Sequence, residues 1–367
     1  MNDQPHKEPK SIAPEPENET DDFADMAFGG VRSASDLITE KLGLERIEGF
    51  SVIRFFSQVF RKHDPNEVEN LFTVGSSLTT PSLHPHMAVL PNPWVFFRVF
   101  LSSLVVYVLF HYGATHFENP LVIPALIFVG SFAIPFATLI FFFEINTPRN
   151  VSIVRLIQLV ILGGAFSILL SLLLFKMTPL LGILGAPSAG IVEEIGKLCT
   201  VLATMRLIPM DRYPFRLNAL LFGAAVGTGF AAFESAGYAL LSSFSLLGLM
   251  SGQVVDVSKM TSIITLRGVM SPFAHIVWTA IATSAYWIAR KEHDGMFSTI
   301  VSRKFLTLFS VPVVLHFIWN MNWTGPFWIK YWILAFIAWI VVLSLVQSGL
   351  KEIGNAARRF HPSMPKT

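Results

Sequence analysis

Seven polar residues sit where an apolar chain has no ordinary use for them. They are Glu193, Glu194 and Lys197 in the run Glu-Glu-x-x-Lys, Glu234 in Phe230-x-x-x-Glu234, His275, and His316 with Asn320 in His-x-x-x-Asn. Each group interrupts a stretch of mostly apolar residues about as long as a helix needs to cross hydrocarbon, ~20 residues. A charge at the centre of such a helix costs ~2.5–3.5 kcal/mol, so polar positions in four successive stretches demand a purpose. Glu193 to Lys197 is an i, i+4 spacing and Glu194 to Lys197 is i, i+3, so the ammonium can lie beside either carboxylate. Phe230 with Glu234, and His316 with Asn320, repeat the i, i+4 spacing and share one helix face. The chemistry that fits is water activation. A carboxylate withdrawn from bulk water and tempered by an ammonium can act as a general base. A histidine and an asparagine on another helix could orient the water or stabilise an oxyanion. Together these parts suffice to hydrolyse an amide. Glu193, Glu194, Glu234, His275 and His316 are equally candidate ligands for a divalent metal such as zinc, whose catalytic sites take three protein ligands plus water. No His-Glu-x-x-His is present, and a metal-free glutamate mechanism stays open. A purely structural ion pair would account for Lys197 and one glutamate, but for none of the others. No serine nucleophile with an adjacent base stands out, and Cys199, the single cysteine, has no obvious activator and no disulfide partner.

The elements that must position these residues follow from composition. Apolar residues make up 52% of the chain, charged residues only 14%, and mean hydropathy is +0.55, against roughly 25% charged in a soluble domain. The expectation is an all-α polytopic membrane protein of about eight transmembrane helices, near 93–113, 120–144, 151–175, 181–205, 217–242, 264–289, 304–321 and 326–349. Pro187, Pro272 and Pro312 each precede a site residue by a few positions; proline removes a helical hydrogen bond, and the opening suits a water-lined cavity. Gly223, Gly227 and Gly229 allow the fifth span to approach a neighbour closely, which ordinary packing would also explain. Arg149, Arg155, Arg206, Arg212, Arg216, Arg290, Lys291, Arg303, Lys304, Lys351, Arg358 and Arg359 fall in one set of connections. Only Lys176, Lys259 and Lys330 fall in the other, with Arg267 ambiguous. The positive-inside rule then puts both termini in the cytoplasm. Residues 93–350 form the membrane domain and 351–367 a short cytoplasmic tail. Residues 1–92 form a cytoplasmic region: an acidic disordered tail to about 33, an amphipathic helix over 51–62 and an extended linker over 63–92. The 51–62 stripe suits either an anionic lipid surface or packing on the membrane domain. No cleavable signal peptide is visible in the first 90 residues. The net charge of +2 implies no nucleic-acid partner.

The ordered set Glu193-Glu194-x-x-Lys197, Phe230-x-x-x-Glu234, His275 and His316-x-x-x-Asn320 resembles the PrsW family of intramembrane proteases, over about residues 120–325. That family is similar to the CAAX prenyl endopeptidases, from which this chain departs in the spacing of Lys197 and in having Glu234 where they have histidine. A prenylated substrate is correspondingly disfavoured. The resemblance implies cleavage of single-pass membrane proteins, in a bacterial inner membrane, with Glu193 and Glu194 catalytic and Glu234, His275 and His316 assisting. It leaves metal dependence, oligomeric state, and which glutamate is the base open. The same superfamily includes a non-catalytic scaffold subunit, so a substrate-presenting scaffold is the second reading. A proton-coupled transporter is the third, though no internal repeat supports it.

Overall fold

The computed structural model describes residues 37–45, 50–117, 119–207, 210–243 and 256–360. Among them there is no strand. The bundle is built from α1 (Val95–His116), α2 (Ile123–Ile145), α3 (Ile153–Met177), α4 (Ala189–Arg206), α5 (Arg216–Ser243), α6 (Val257–Met270), α7 (His275–Ala289), α8 (Arg303–Asn320) and α9 (Phe327–Phe360). Five of these, α1, α2, α3, α5 and α9, are long and apolar enough to cross a membrane. The chain is an integral membrane protein. The other four are shorter, and three of them carry six of the seven polar residues singled out above, the seventh, Glu234, lying on α5.

α5 is the hub. Of its most apolar window 83% is buried, against 6% for the peripheral α1, and it packs on α7, α2, α6 and α3. The reason is side-chain size. Glycine at 223, 227 and 229 and alanine at 224 and 225 bring neighbouring backbones close. A β-carbon on Gly227 would lie 2.6 Å from the His275 carbonyl oxygen, and one on Gly190 of α4 would lie 2.5 Å from the Phe317 nitrogen of α8. These contacts fix α5 against α7, and α4 against α8, at the level of the site. α7 is buried along most of its length. Its hydroxyls are satisfied internally: Thr279, Thr283 and Ser284 donate to the carbonyls of His275, Thr279 and Ala280 at 2.7–2.8 Å. In a water-free interior that internal pairing is required.

Several boundaries differ from the sequence expectation, each for a backbone reason. The expected span 264–289 is two helices, α6 and α7, separated by a 3-10 turn at Ser271–Phe273. Pro272 has no N–H to donate, and Ala274 leaves helical space at φ −121°, ψ −125°. His275 therefore opens α7 rather than lying mid-helix. The expected span 181–205 is helical only from Ala189, because Pro179, Gly185 and Pro187 hold 179–188 in 3-10 turns, with Gly185 at φ +63°. α9 continues through the expected tail to Phe360, with Ile353 and Ala357 still buried.

The region before α1 packs on the bundle. Of the stripe over 51–62, one helical turn forms at Val52–Phe55. Phe55 is buried and Phe56 stacks on Phe141 of α2 at 5.9 Å. The stretch expected as an extended linker holds a helix, Pro65–Thr73. Asp64-Pro65-x-Glu67 is a start signal in which the Asp64 N–H reaches the Glu67 carboxylate at 3.4 Å. Glu144, at the end of α2, accepts the N–H groups of Trp94, Val95 and Phe96 at 2.8–2.9 Å, capping the otherwise unpaired first turn of α1. The acidic tail to residue 33 lies outside the described residues.

Candidate active site

Four helices bring the polar set together. α4 carries Glu193, Glu194 and Lys197, α5 carries Glu234, the start of α7 carries His275, and α8 carries His316. Glu194 and Lys197 are fully buried and joined at 2.5 Å. The second partner of Glu194 Oε1 is His316 Nδ1 at 2.8 Å. The second partner of the Lys197 ammonium is His275 Nδ1 at 3.1 Å, and it also lies 4.7 Å over the Phe230 ring. His275 turns its other nitrogen, Nε2, to Glu234 Oε2 at 3.0 Å. Thus one carboxylate holds each imidazole from behind.

The remaining nitrogens of the two imidazoles converge on Glu193. Its Oε2 lies 4.0 Å from His275 Nδ1 and 3.9 Å from His316 Nε2. These are too long for direct hydrogen bonds. Oε2 is buried and has no hydrogen-bond partner among the described residues, unlike almost all buried polar atoms. The two rings meet edge to face with centroids 5.0 Å apart, and Trp278 stacks on His316 at 4.5 Å, fixing its plane. Ligand atoms of Glu193, His275 and His316 all lie within 4.8 Å of one another. Two histidines and a glutamate are a set that catalytic zinc takes, with the fourth position left for water. A carboxylate on the far nitrogen of each histidine is the usual support for a metal-binding imidazole, since it fixes which nitrogen carries the proton. The orphaned Glu193 oxygen and the two supported imidazoles therefore fit a divalent ion.

A family model for PrsW family intramembrane metalloproteases matches residues 151–346, more than half of the chain. The chain belongs to the PrsW family. Neither a curated protein nor a solved structure matches it. Membership suggests intramembrane protease activity, and the matched segment runs from the start of α3 into α9. It begins later and ends later than the 120–325 over which the residues suggested the resemblance, and it includes every site residue named from the sequence.

Six of those seven residues meet in the PrsW chain's core; Asn320 does not. Its amide donates to the Ala186 carbonyl at 3.4 Å, at the entrance to α4, so it joins α8 to α4 instead of reaching the imidazoles. Cys199 is exposed. Two contributors escaped the sequence reading. Arg267 of α6 binds Glu234 Oε2 through its guanidinium at 2.5 Å and Ser235 Oγ at 3.0 Å. Its signal is a charge inside an apolar stretch, which the sequence alone ties to orientation and not to a partner on another helix. Trp278 gave no signal, because a tryptophan in an apolar helix is ordinary. A cavity of about 140 Å³ opens beside His275 and Arg267, walled by Leu266 and Met270 of α6, Trp319 of α8 and Tyr331 of α9.

Proposed function

We propose that this PrsW-family chain is an intramembrane endopeptidase that hydrolyses peptide bonds of single-pass membrane proteins with water held among Glu193, His275 and His316. The observation that carries this is the convergence of three ligand atoms within 4.8 Å, one of them a buried carboxylate oxygen without a partner. Glu193 Oε2, His275 Nδ1 and His316 Nε2 would hold a divalent ion. Such an ion, when bound, polarises the scissile carbonyl and makes water a nucleophile near neutral pH. Glu194 and Glu234 hold the far nitrogens of the imidazoles, keeping the near ones unprotonated. The Lys197 ammonium keeps Glu194 but gives up its contact with His275 Nδ1 when that lone pair is engaged. Glu193 takes the proton that water loses as the C–O bond forms. That proton goes to the leaving nitrogen as the C–N bond breaks. The cavity beside His275, apolar on three sides, receives the substrate chain next to the scissile bond. In this reading the chain crosses eight times, with α6 and α7 counted as one interrupted span, so both termini share a side, and the basic connections argue that this side is the cytoplasm of a bacterial inner membrane.

The test is reconstitution with tagged single-pass substrates. Wild type should release fragments, an added chelator should stop it, and zinc should restore it. His316→Ala should release none while keeping its detergent-stable fold and losing bound metal. Fragments that persist in a well-folded His316→Ala protein would refute the site. A purified, active wild type with no bound metal would refute the metal-dependent mechanism. A chain that binds single-pass proteins without cutting them, with metal bound, would favour the scaffold reading.

A further inference from the structure

A second charged cavity lies at the end of the bundle where α5 and α8 begin and α7 and α9 end. Its volume is about 310 Å³, and Arg216, Lys291 and Arg359 line it together with Glu45, Glu352 and Asn355. The three cations come from the start of α5, the α7–α8 connection and the end of α9. Glu352 is shared: it takes the Arg216 backbone N–H at 2.8 Å and pairs with the Lys291 ammonium. Glu45 is the other carboxylate in the wall. Two acids therefore face three lining bases, and Arg290 stands beside Lys291 as a further cation. Arg359 makes no ion pair with a described residue. The Arg216 side chain bonds Ser348 through one terminal nitrogen, and its Nε is buried with no hydrogen-bond partner among the described residues. Crowding by Arg216 and Arg290 on top of burial lowers the Lys291 ammonium from its ordinary value to about 8. A surplus of positive charge and an open volume coincide on one wall.

We propose that this cavity binds a phosphate group, with the Arg216 guanidinium, Lys291 Nζ and the Arg359 guanidinium as its donors, and that the phosphate belongs to an anionic phospholipid headgroup. Guanidinium donors match phosphate oxygens in pairs. The position supports the lipid source, since every lining residue lies at the polar rim of a membrane bundle, on the face that collects the basic residues of this chain. Basic pockets between membrane helices on that side are suited to anionic headgroups. The cavity shares no residue with the Glu193, His275 and His316 cluster, so the proposal does not depend on the chain being a protease.

The experiment uses the whole protein, delipidated in detergent. Binding of phosphatidylglycerol is measured by native mass spectrometry and by the shift of the thermal midpoint, with phosphatidylcholine as the neutral reference and inorganic phosphate as the soluble arm. Loss of a direct charge-assisted contact to a phosphate seated in the cavity costs about fivefold or more in affinity. Lys291→Ala with Arg359→Ala should therefore weaken phosphatidylglycerol roughly 30-fold. The control is Arg155→Ala with Arg303→Ala, which removes the same charge from the same end outside the cavity, and it should change affinity less than twofold. Stabilisation by phosphatidylglycerol alone assigns the phosphate to lipid. Stabilisation by inorganic phosphate to the same extent, also lost in the cavity variant, keeps the site but overturns the lipid source. No binding in either arm, or equal loss in the control, overturns the site.

Discussion

Glu234 offers the sharpest test, because it does two separable things. It accepts from His275 Nε2 at 3.0 Å, and it neutralises Arg267 at 2.5 Å. Glu234→Gln keeps the shape but removes the charge. A supporting partner of a metal-ligating histidine is worth 10–100-fold in metal affinity or activity, or about 1.4–2.7 kcal/mol. The same change leaves the Arg267 guanidinium without its carboxylate. Breaking a fully buried pair costs roughly 3–5 kcal/mol. Here the side chains are 25% and 20% exposed, so screening and rehydration reduce that to about 1–2 kcal/mol. Arg267→Met on its own should lower stability with little loss of zinc affinity. The double variant Glu234→Gln/Arg267→Met should recover stability towards wild type while keeping the full loss of zinc affinity. The assay is a double-mutant cycle read twice, by thermal midpoint in detergent and by zinc dissociation constant. If the double variant recovers zinc affinity along with stability, Glu234 serves only to bury Arg267, and its support of His275 is wrong.

Two further outcomes follow from the packing and the rim. Gly227→Ala would set a β-carbon 2.6 Å from the His275 carbonyl oxygen; overpacking of this kind costs about 1–3 kcal/mol, and the displacement of His275 should lower cleavage and metal affinity together, whereas Gly237→Ala, which meets nothing within 4 Å, should do neither. At the rim, Lys291 is held down to about 8 against an unfolded value near 10.4. The folded state thus binds fewer protons than the unfolded one between those values, and the penalty of its charge, fully present below pH 8, should fade as pH rises towards 10. Thermal midpoints of delipidated wild type against Lys291→Met across pH 7–10 should show wild type gaining on the variant, and a flat difference would remove the reasoning.

The sequence made the site more legible than the fold around it. Charges inside apolar stretches need no alignment to be noticed, since hydrocarbon gives them no solvent, and six of the seven residues named on that ground meet in one cluster. Their pairing was only partly readable. The i, i+3 spacing does join Glu194 to Lys197, but nothing local could show that Glu194 backs His316 while Glu234 backs His275, because those contacts join different helices. Asn320 stands apart for a related reason: the i, i+4 rule puts it on the His316 face, but α8 ends there and its amide meets the α4 entrance. Helix ends failed where backbone chemistry overrode hydropathy. Pro272 cut one expected span in two, Pro179, Gly185 and Pro187 delayed another, and a polar but amphipathic end let α9 run past its apolar part.

A count of charges links the cluster to its cofactor. Three carboxylates, Glu193, Glu194 and Glu234, share the core with two cations, Lys197 and Arg267. Lys197 answers Glu194 at 2.5 Å and Arg267 answers Glu234 at 2.5 Å. With neutral imidazoles, and at a pH that ionises all three carboxylates, one negative charge is left over, and it sits on Glu193, whose side chain is only 12% exposed and makes no hydrogen bond to a described residue. An uncompensated charge in such a place opposes folding by several kcal/mol. A divalent ion reverses this, which makes Glu193 a group kept for function against stability. Glu193→Gln should therefore raise the thermal midpoint of the chelated protein, by a free energy of about 1–3 kcal/mol once the more distant Lys197 and Arg267 are allowed for. In excess zinc the order should invert, because wild type gains the binding energy of the ion and the variant does not. Cleavage should be lost in the variant under both conditions. A Glu193→Gln protein less stable than wild type after chelation would mean that Glu193 is already compensated, and the case for a cation at this site would lose its electrostatic ground.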